Sequence, residues 1–318
     1  MLRTNIQNWF NGRLSASALS DDPADARTTT PPPPVTPAAL PAAASTPPTA
    51  LPQAPKQAWP AARIQAVESV WGEGFLNPGG AEEILRLARP LGLSDAVSLV
   101  VVGVGTGGPA YTIADELGAW VSGFEVDPNL AALATLRGPK AKLGRRATIA
   151  TWQPSAPHFR PNASTHGLAL EPLRFAMEAP RRETMLAAIA AAIKPRGQLM
   201  LVEAVAKRPL DVKDPIVARW LRLEHRPIGP PDEATLTRLM GKLGFDVRVV
   251  EDISERHTQQ TLLAWNEVVN NLRGKPVNRT EALALIGEVE LWLLRLRLLR
   301  TGDIRLLRWH GIGKKAPG

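Results

Sequence analysis

The chain has 318 residues, a formal net charge of +8 and no cysteine. The lack of cysteine excludes disulfides, thiolate metal sites and cysteine nucleophiles, and the five dispersed histidines predict no metal site. No apolar run approaches the roughly 20 residues that span a bilayer. The N-terminus also lacks the apolar core of a signal peptide. We therefore expect a soluble, cytoplasmic protein.

Residues 1–60 have the composition of a disordered tail. They contain the stretch "TTTPPPPVTPAALPAAASTPP", which cannot bury enough apolar surface to offset its ordering entropy. Trp9 and Phe10 leave open a short amphipathic helix that docks on a partner or a membrane, although a poorly ordered terminus is favoured. We predict a Pro/Ala-rich tail over 1–60 and one folded domain over 61–318.

The pattern of the folded part predicts an α/β protein. The run "VSLVVVGV" is typical of a strand buried on both faces, and a helix with Pro109 near its start follows it. A second strand, "WVSGFEV", and a helix with Pro128 at its start come next. The later segments "HGLALE", "ETMLAAIAAAIKPRG" and "QLMLVEAV" continue the alternation, whereas "ESVWGEGFLNPGG" before the first strand reads as turn-rich. This order favours a doubly wound, mostly parallel sheet with helices on both faces.

The last third of the folded part predicts further helices and strands. The segments "DEATLTRLMGKLG" and "FDVRVVEDI" read as a helix and a strand. The segments "HTQQTLLAWNEVVNNLRG" and "RTEALALIGEVELWLLRLRLLRTG" read as two long helices. The stretch "IRLLRWHGI" reads as a final strand that closes the sheet.

A cluster of glycines follows the first predicted strand and opens a helix. Glycines at such a turn let a ligand approach the backbone closely, and an acid about 20 residues further on is placed to accept ribose hydroxyls. Glu125 fits that role, with Asp127 as the alternative. A nicotinamide dinucleotide, an adenosyl group and an empty tight turn all stay open at this point. The glycines are Gly103, Gly105, Gly107 and Gly108.

Four segments carry a resemblance to class I S-adenosylmethionine-dependent methyltransferases. "VVVGVGTGG" resembles their glycine loop, and "GFEVDPN" looks like their ribose-binding acid. "AAIKPRGQLMLVEAV" and "KLGFDVRVVEDIS" are similar to their fifth-strand turn and the segment before their late antiparallel strand. The resemblance implies a Rossmann-like fold, S-adenosylmethionine as cofactor and a loop-and-acid site. It implies cofactor contacts at Gly103, Gly105, Thr106, Gly107, Gly108, Glu125 and Val126.

A further segment, "VESVWGEGFLNPGG", is similar to that of the phosphoethanolamine and sarcosine type of small-molecule N-methyltransferase. This resemblance implies a small-molecule acceptor, with an amine favoured. It also implies that Leu76 and Asn77 line the methionine end of the site together with Trp71 and Phe75. The family usually has an acid near the adenine, where this chain has Gln153; we expect its amide to hydrogen-bond the adenine and Trp152 to stack on the ring.

Two residues at the ends of the strand predicted in "HGLALE", the fourth strand in the family pattern, are candidates for catalysis. Glu171 follows the strand, where it would hold a cationic acceptor or take its proton, or else be an exposed loop acid. His166 precedes the strand, and a surface or capping role is its alternative. His257 has the same two interpretations, an acceptor-pocket residue or a structural one, and the structural one is favoured.

Departures from the family pattern and the basic charge define two alternative functions. Val101 stands where the first strand often has an acid, Gln153 replaces an acid near the adenine, and the fourth strand lacks one. These favour, as a rival, a methyltransferase fold that has lost catalysis and serves as a binding or scaffold module. The basic residues leave an RNA methyltransferase as a second rival. A leucine stripe with arginines on the solvent face is the favoured reading of their region, so we expect no nucleic-acid partner. Its arginines are Arg295, Arg297, Arg300, Arg305 and Arg308.

Overall fold

The computed structural model describes residues 59–139, 141 and 143–314. Within them the chain forms one sheet, whose strands are β1 Ser98–Val102, β2 Trp120–Glu125, β3 Ala147–Thr151, β4 His166–Leu170, β5 Gln198–Ala206, β6 Phe245–Asp252 and β7 Ile304–Gly313. The order across this seven-stranded sheet is β3-β2-β1-β4-β5-β7-β6. Strands β1 to β5 are parallel, and β7 is antiparallel to both β5 and β6. The predicted fold class, including the late antiparallel strand, is confirmed.

Helices connect the strands and cover the sheet. They are α1 Ala61–Trp71, α2 Gly80–Ala88, α3 Gly108–Glu116, α4 Pro128–Arg137, α5 Ala179–Ala192, α6 Pro215–Leu223, α7 Glu233–Lys242, α8 Ser254–Asn271 and α9 Arg279–Thr301. None of the helices in this described part of the chain is long and apolar enough to cross a membrane.

Strand β1 contributes side chains to both faces of the sheet. Val100 and Val102 pack into one hydrophobic cluster, while Leu99 and Val101 pack into the other. Successive residues of a strand point to opposite faces, so a continuous apolar run is required where both faces are buried. Val101 is fully buried, and it therefore serves the core at the position where the family pattern would put an acid.

Local sequence signals place the helix starts beside the carboxyl ends of β1 and β2. Pro109 lies in the first turn of α3, where its missing N–H is not needed. Asp127 caps α4 by accepting hydrogen bonds from the backbone N–H groups of Asn129 at 2.9 Å and Leu130 at 3.3 Å. The glycine loop and the end of β2 are thereby held at the edge of the sheet where open α/β folds bind ligands.

The structure corrects the sequence-based elements at two places. The segment predicted as turn-rich from Glu68 begins inside α1, which continues to Trp71 and ends at Gly72 with a φ of 94°. Helix α6 was not predicted; Asp214 caps it and Pro215 starts it. The two long helices α8 and α9 between β6 and β7 were predicted and are confirmed. The predicted tail and its Trp9–Phe10 segment lie outside the described residues, apart from Trp59 and Pro60.

The predicted solvent-facing row of arginines is wrong for Arg295. Its side chain is buried in α9, where it pairs with two glutamates. Arg305 pairs with Glu233 at 2.6 Å, and Arg308 pairs with Glu251. Arg297 and Arg300 are exposed, as the leucine-stripe interpretation expects.

Candidate functional site

The glycine loop turns tightly between β1 and α3. Gly103, Gly105 and Gly107 have φ values of 87°, 56° and 105°, which are left-handed conformations that favour glycine. A Cβ at Gly103 would lie 2.5 Å from the carbonyl oxygen of Leu170, so the loop packs against the end of β4. The predicted glycine loop is therefore present, and it lies at the carboxyl edge of the sheet.

Glu125 ends β2 and holds this loop. One of its carboxylate oxygens, Oε2, accepts the backbone N–H of Gly105 at 2.7 Å. The other, Oε1, accepts the N–H groups of Val126 at 2.8 Å and Asp127 at 3.3 Å. Burial raises the pKa of Glu125, while Arg174 and these N–H groups oppose the rise. Asp127, the alternative ribose acid, is instead engaged as the cap of α4.

The segment after α1 lies directly over the glycine loop. The Gly108 N–H donates to the carbonyl oxygen of Gly74 at 2.9 Å, and the Leu76 side chain packs on Gly105. Glu68 in α1 accepts hydrogen bonds from the Thr106 hydroxyl and from Arg137 of α4, each at 2.5 Å. We call this contact of Glu68 with Thr106 and Arg137 the α1 clasp.

The glycine loop and Glu125 have the hydrogen-bonding groups that the ribose of an adenosyl group needs. A carboxylate offers about four acceptor positions. In the described part of the chain, backbone N–H groups engage three positions of Glu125, which leaves capacity for a ribose hydroxyl. The Leu76 side chain lies 2.8 Å from a Cβ built at Gly105 and so packs closely against the glycine loop.

The two predicted adenine contacts differ in their surroundings. Gln153 is exposed just past β3, where its amide is accessible. Trp152 is 4% exposed and lies in the hydrophobic core, with its ring 5.6 Å from that of Phe159. Because Trp152 is buried against Phe159, stacking on a ligand would require Trp152 to move.

A cavity opens beside the loop at the carboxyl edge of the sheet. It encloses about 590 Å³ of space not filled by protein atoms, part of it open to solvent. Leu76 and Asn77, predicted from the resemblance, both line it. Its polar lining residues are Asn77, Glu83, Glu171, His257 and Gln260. Its other lining residues are Phe75, Leu76, Pro78, Gly80, Ile84, Leu87, Pro109, Leu170, Val202, Ile253 and Leu306.

Glu171 lines this cavity but belongs to a buried ion network, and it is neither exposed nor free. Its carboxylate contacts Arg226 at 2.5 Å and Arg295 at 2.7 Å. Although burial raises its pKa, the charges of Arg295 and Arg226 outweigh that effect and hold the pKa at about 2. A carboxylate with so low a pKa is a poor proton acceptor near neutrality, which argues against Glu171 as a general base.

Two more glutamates complete the ion network. Glu224 accepts from Arg226 Nε and Arg295 Nη1, both at 2.7 Å. Glu203 contacts Arg226 at 3.3 Å and accepts the Leu173 N–H at 2.8 Å. Burial raises the pKa of Glu203 to about 7, with Arg226 opposing and Glu171 reinforcing the rise. Three glutamates therefore face two arginines in this buried network.

His257 lines the cavity from α8 and backs onto an aromatic cluster. Its ring lies 5.6 Å from that of Trp292, which lies 4.8 Å from that of Trp71, and Trp71 in turn contacts Trp265. Burial, together with the charge of Arg295, lowers the pKa of His257 to about 3. The imidazole is therefore neutral. Its Nε2 is buried and has no hydrogen-bond partner within the described residues.

The structure does not bring His166 to the site. It begins β4, pairs in register with Leu99 near the start of β1, and so lies at the opposite end of the strands from the glycine loop. Its Nδ1 accepts the backbone N–H of Gln198 at 2.9 Å. This contact explains its burial by a structural role, and we withdraw His166 as a catalytic candidate.

Sequence reasoning missed most of the ion network. Arg226 and Glu224 carried no motif, Glu203 lay in the segment similar to the fifth-strand turn but was given no role, and Arg295 was assigned to solvent. The available signal was the charge of Arg295 inside the apolar run "LWLLRLRLL" of a helix, because an arginine within a core-facing stripe must find partners.

Comparison with known proteins supports the fold. No protein-family model matches the chain. Phosphoethanolamine N-methyltransferase 2 of Caenorhabditis elegans is 27% identical over 139 residues, which are 43% of this chain and 31% of that protein. The solved phosphoethanolamine N-methyltransferase 2 of Haemonchus contortus, in complex with S-adenosyl-L-methionine, superposes with a TM-score of 0.68 at 19% identity. That match covers 79% of this chain and 57% of the other.

A third similar structure is the cyclopropane synthase MmaA2 of Mycobacterium tuberculosis, with a TM-score of 0.64 at 16% identity. It covers 80% of this chain and 96% of the other. The chain spans about a third to a little over half of the length of the phosphoethanolamine methyltransferases it matches. The resemblance to the class I methyltransferases is confirmed for the fold: this chain has their sheet and strand order.

Proposed function

We propose that the chain is an S-adenosylmethionine-dependent methyltransferase that acts on a small molecule. The observation that carries this proposal is the Glu125 carboxylate at 2.7 Å from the Gly105 N–H, at the carboxyl edge of a methyltransferase-type sheet with a cavity beside it. The cofactor bound by solved structures of the same fold, S-adenosyl-L-methionine, agrees with it.

The chain's own residues divide the work of holding the cofactor and the acceptor. Glu125 would accept a ribose hydroxyl, the loop from Gly103 to Gly108 would approach the methionine part, and Gln153 would meet the adenine. Bound S-adenosylmethionine would supply an electrophilic methyl group. Methyl transfer then needs an aligned acceptor and a site with little water, more than a strong base. The mostly apolar cavity supplies such surroundings.

The acceptor atom we propose is an amine nitrogen. The support is the name of the curated relative, a phosphoethanolamine N-methyltransferase. Recognition of the acceptor must differ in detail, because the chain's single tyrosine, Tyr111, donates its hydroxyl to the Ala134 carbonyl oxygen at 2.6 Å. We keep residues 61–318 as the methyltransferase domain and a cytoplasmic location as predictions.

The first test is calorimetry with S-adenosylmethionine, S-adenosylhomocysteine and NADH. We expect both adenosyl compounds to bind and NADH not to bind. Preferential binding of NADH would overturn the assignment, and so would binding of none of the three.

A matched pair of variants tests the ribose contact. Glu125→Gln removes a charge-assisted acceptor, so the affinity for S-adenosylhomocysteine should fall by at least about 5-fold. Asp127→Asn makes the same chemical change two residues away and keeps a good helix cap, so the affinity should change by less than about 2-fold. Equal effects of both variants would contradict the assignment of the ribose to Glu125.

A binding or scaffold protein with this fold is the second candidate. The observation that favours it is the Leu76 side chain packed on Gly105, because this contact covers part of the glycine loop. This candidate predicts no adenosyl binding, or binding without turnover across an amine panel. An RNA methyltransferase is less favoured, since Arg295, Arg305 and Arg308 are all engaged with glutamates.

A further inference from the structure

The acidic side chains of the cavity are neutralised by arginines. Glu83 accepts hydrogen bonds at 3.0 Å from Arg256 Nη2 and from Gln260 Nε2. Glu171 contacts Arg226 and Arg295, as described above. Among the described lining residues there is no other acid, and no lysine or arginine. The cavity therefore offers neither an unpaired anion for an ammonium group nor a cation for a phosphate.

Among the described buried polar side chains that line the cavity, His257 is the one with a ring nitrogen that lacks a hydrogen-bond partner. It is 6% exposed, and its Nε2 finds no hydrogen bond in the part of the chain that the structure describes. A buried polar atom without a partner is costly, and such atoms often mark functional sites. A neutral imidazole nitrogen donates or accepts depending on its tautomer, so it suits an N–H or O–H group of a ligand.

Apart from the exposed Asn77, the remaining wall of the cavity is apolar. Phe75, Ile84 and Leu87 line it from the segment around α2, and Leu170, Val202 and Ile253 line it from the sheet side. Pockets of this kind bind the apolar body of a ligand by area, and a few placed polar groups orient it.

We propose that this cavity takes a neutral, largely apolar acceptor that presents one N–H or O–H group to the imidazole of His257. The proposal rests on the proposed methyltransferase function and names the substrate class of that site. The proposal favours an apolar amine or hydroxyl compound as the acceptor over a phosphobase. A phosphobase carries an ammonium group and a phosphate group, and the cavity offers an unpaired counter-ion to neither. Burial without a counter-ion lowers the pKa of an amine, which keeps its lone pair available.

Calorimetry on the full chain loaded with S-adenosylhomocysteine tests the substrate class. The probes are para-butylaniline, which has an N–H group and is neutral at neutral pH, butylbenzene, which lacks that group, and phosphoethanolamine. We expect para-butylaniline to bind at least about 3-fold more tightly than butylbenzene, as one hydrogen bond requires. Phosphoethanolamine should bind most weakly of the three. Tighter binding of phosphoethanolamine than of para-butylaniline would overturn the proposal, and so would binding of neither apolar probe.

Variants of His257 test the contact itself. His257→Phe should remove the affinity difference between para-butylaniline and butylbenzene, and leave butylbenzene binding within about 2-fold. His257→Gln, which keeps a hydrogen-bonding group, should restore part of the difference. An unchanged difference in His257→Phe would exclude the contact. Titrations repeated without S-adenosylhomocysteine separate the two levels, because failure to bind that compound refutes the proposed function while the probe ranking still tests the cavity.

Discussion

At the scale of single residues, the sequence pointed to Glu125 beside the glycine loop but not to the buried ion network. Glu125 was found because its position depends on chain order, one βα unit after the glycine loop. Arg295 was not found because its partners lie far away in sequence, Glu224 by 71 residues and Glu171 by 124. Only the fold brings these charges together, and no local pattern reports such a distant pairing.

The ion network makes Arg295 important for stability. Arg295→Met would leave Glu171 and Glu224 buried with one arginine fewer, and breaking a buried pair in this way costs about 3–5 kcal/mol. We expect the free energy of unfolding in urea to fall by that amount. Arg300→Met, an exposed position of the same helix, should change it by less than about 0.5 kcal/mol. Similar small effects for both variants would show that the network contributes little.

His257 predicts a pH dependence of stability with a defined sign. Burial and Arg295 lower its pKa from 6.5 to about 3, although Glu171 and Glu224 act against the shift. Because the unfolded chain takes up the proton first, the stability due to the neutral imidazole is complete above pH 6.5 and is lost as the pH falls toward 3.

Two substitutions measure this loss by urea unfolding between neutral and mildly acidic pH. The loss amounts to at most about 1.4 kcal/mol per pH unit. His257→Gln should remove this slope from the pH profile of the unfolding free energy. His158→Gln at an exposed position should leave the profile unchanged. Parallel profiles of the wild type and His257→Gln would contradict the expectation.

At the scale of elements, strands and long helices were predictable and the α1 segment was not. The apolar run of β1 and the long helices α8 and α9 have clear periods. The glycines and the proline after Trp71 are typical of turns, so the whole segment from Glu68 was predicted as turn-rich and the helical end of α1 was missed. The charge that matters there, Glu68, has its partners on the glycine loop and on α4, which only the tertiary fold supplies.

The α1 clasp should govern the local opening of α1. Glu68→Gln weakens its pair with Arg137 and its bond to Thr106, so we expect amide hydrogen exchange in α1 to rise by at least about 5-fold. Glu73→Gln is the matched control, because Glu73 is exposed and lies 3.7 Å from the same arginine. If amide exchange rises equally in both variants, or in neither, the Glu68 contacts do not hold α1 on the domain. The contacts of Trp71 would then be the ones that do.

At the scale of the whole molecule, the sequence predicted the sheet because each βα unit has a local sequence pattern, an apolar strand followed by a helix. The order of the strands across the sheet could not be derived from local periods and was not predicted. The cavity is lined by residues of α2, α8, β4 and β5, and no spacing along the chain encodes that these four elements meet.

A shortened chain tests the predicted domain boundary. Arg63 lies 4.1 Å from the centre of the Trp59 ring, so the shortened chain should begin at Gln57 to keep this contact. We expect its melting temperature to stay within about 2 °C of that of the full chain, because a Pro/Ala-rich segment cannot build a core. A loss of several degrees would show that the first residues stabilise the domain.

The irregular pairing of β6 bears on how copies of the molecule behave at high concentration. This strand ends the sheet, and Val249 and Val250 are 41% and 38% exposed on it. The register shift between Val247 and Val249 leaves Arg248 without a paired residue on β7, and its side chain lies 2.6 Å from Asp246. A bulge and charged side chains on an edge strand hinder its pairing with the same strand of another copy. The bulge and the charged residues of β6 therefore disfavour edge-to-edge aggregation of the sheet.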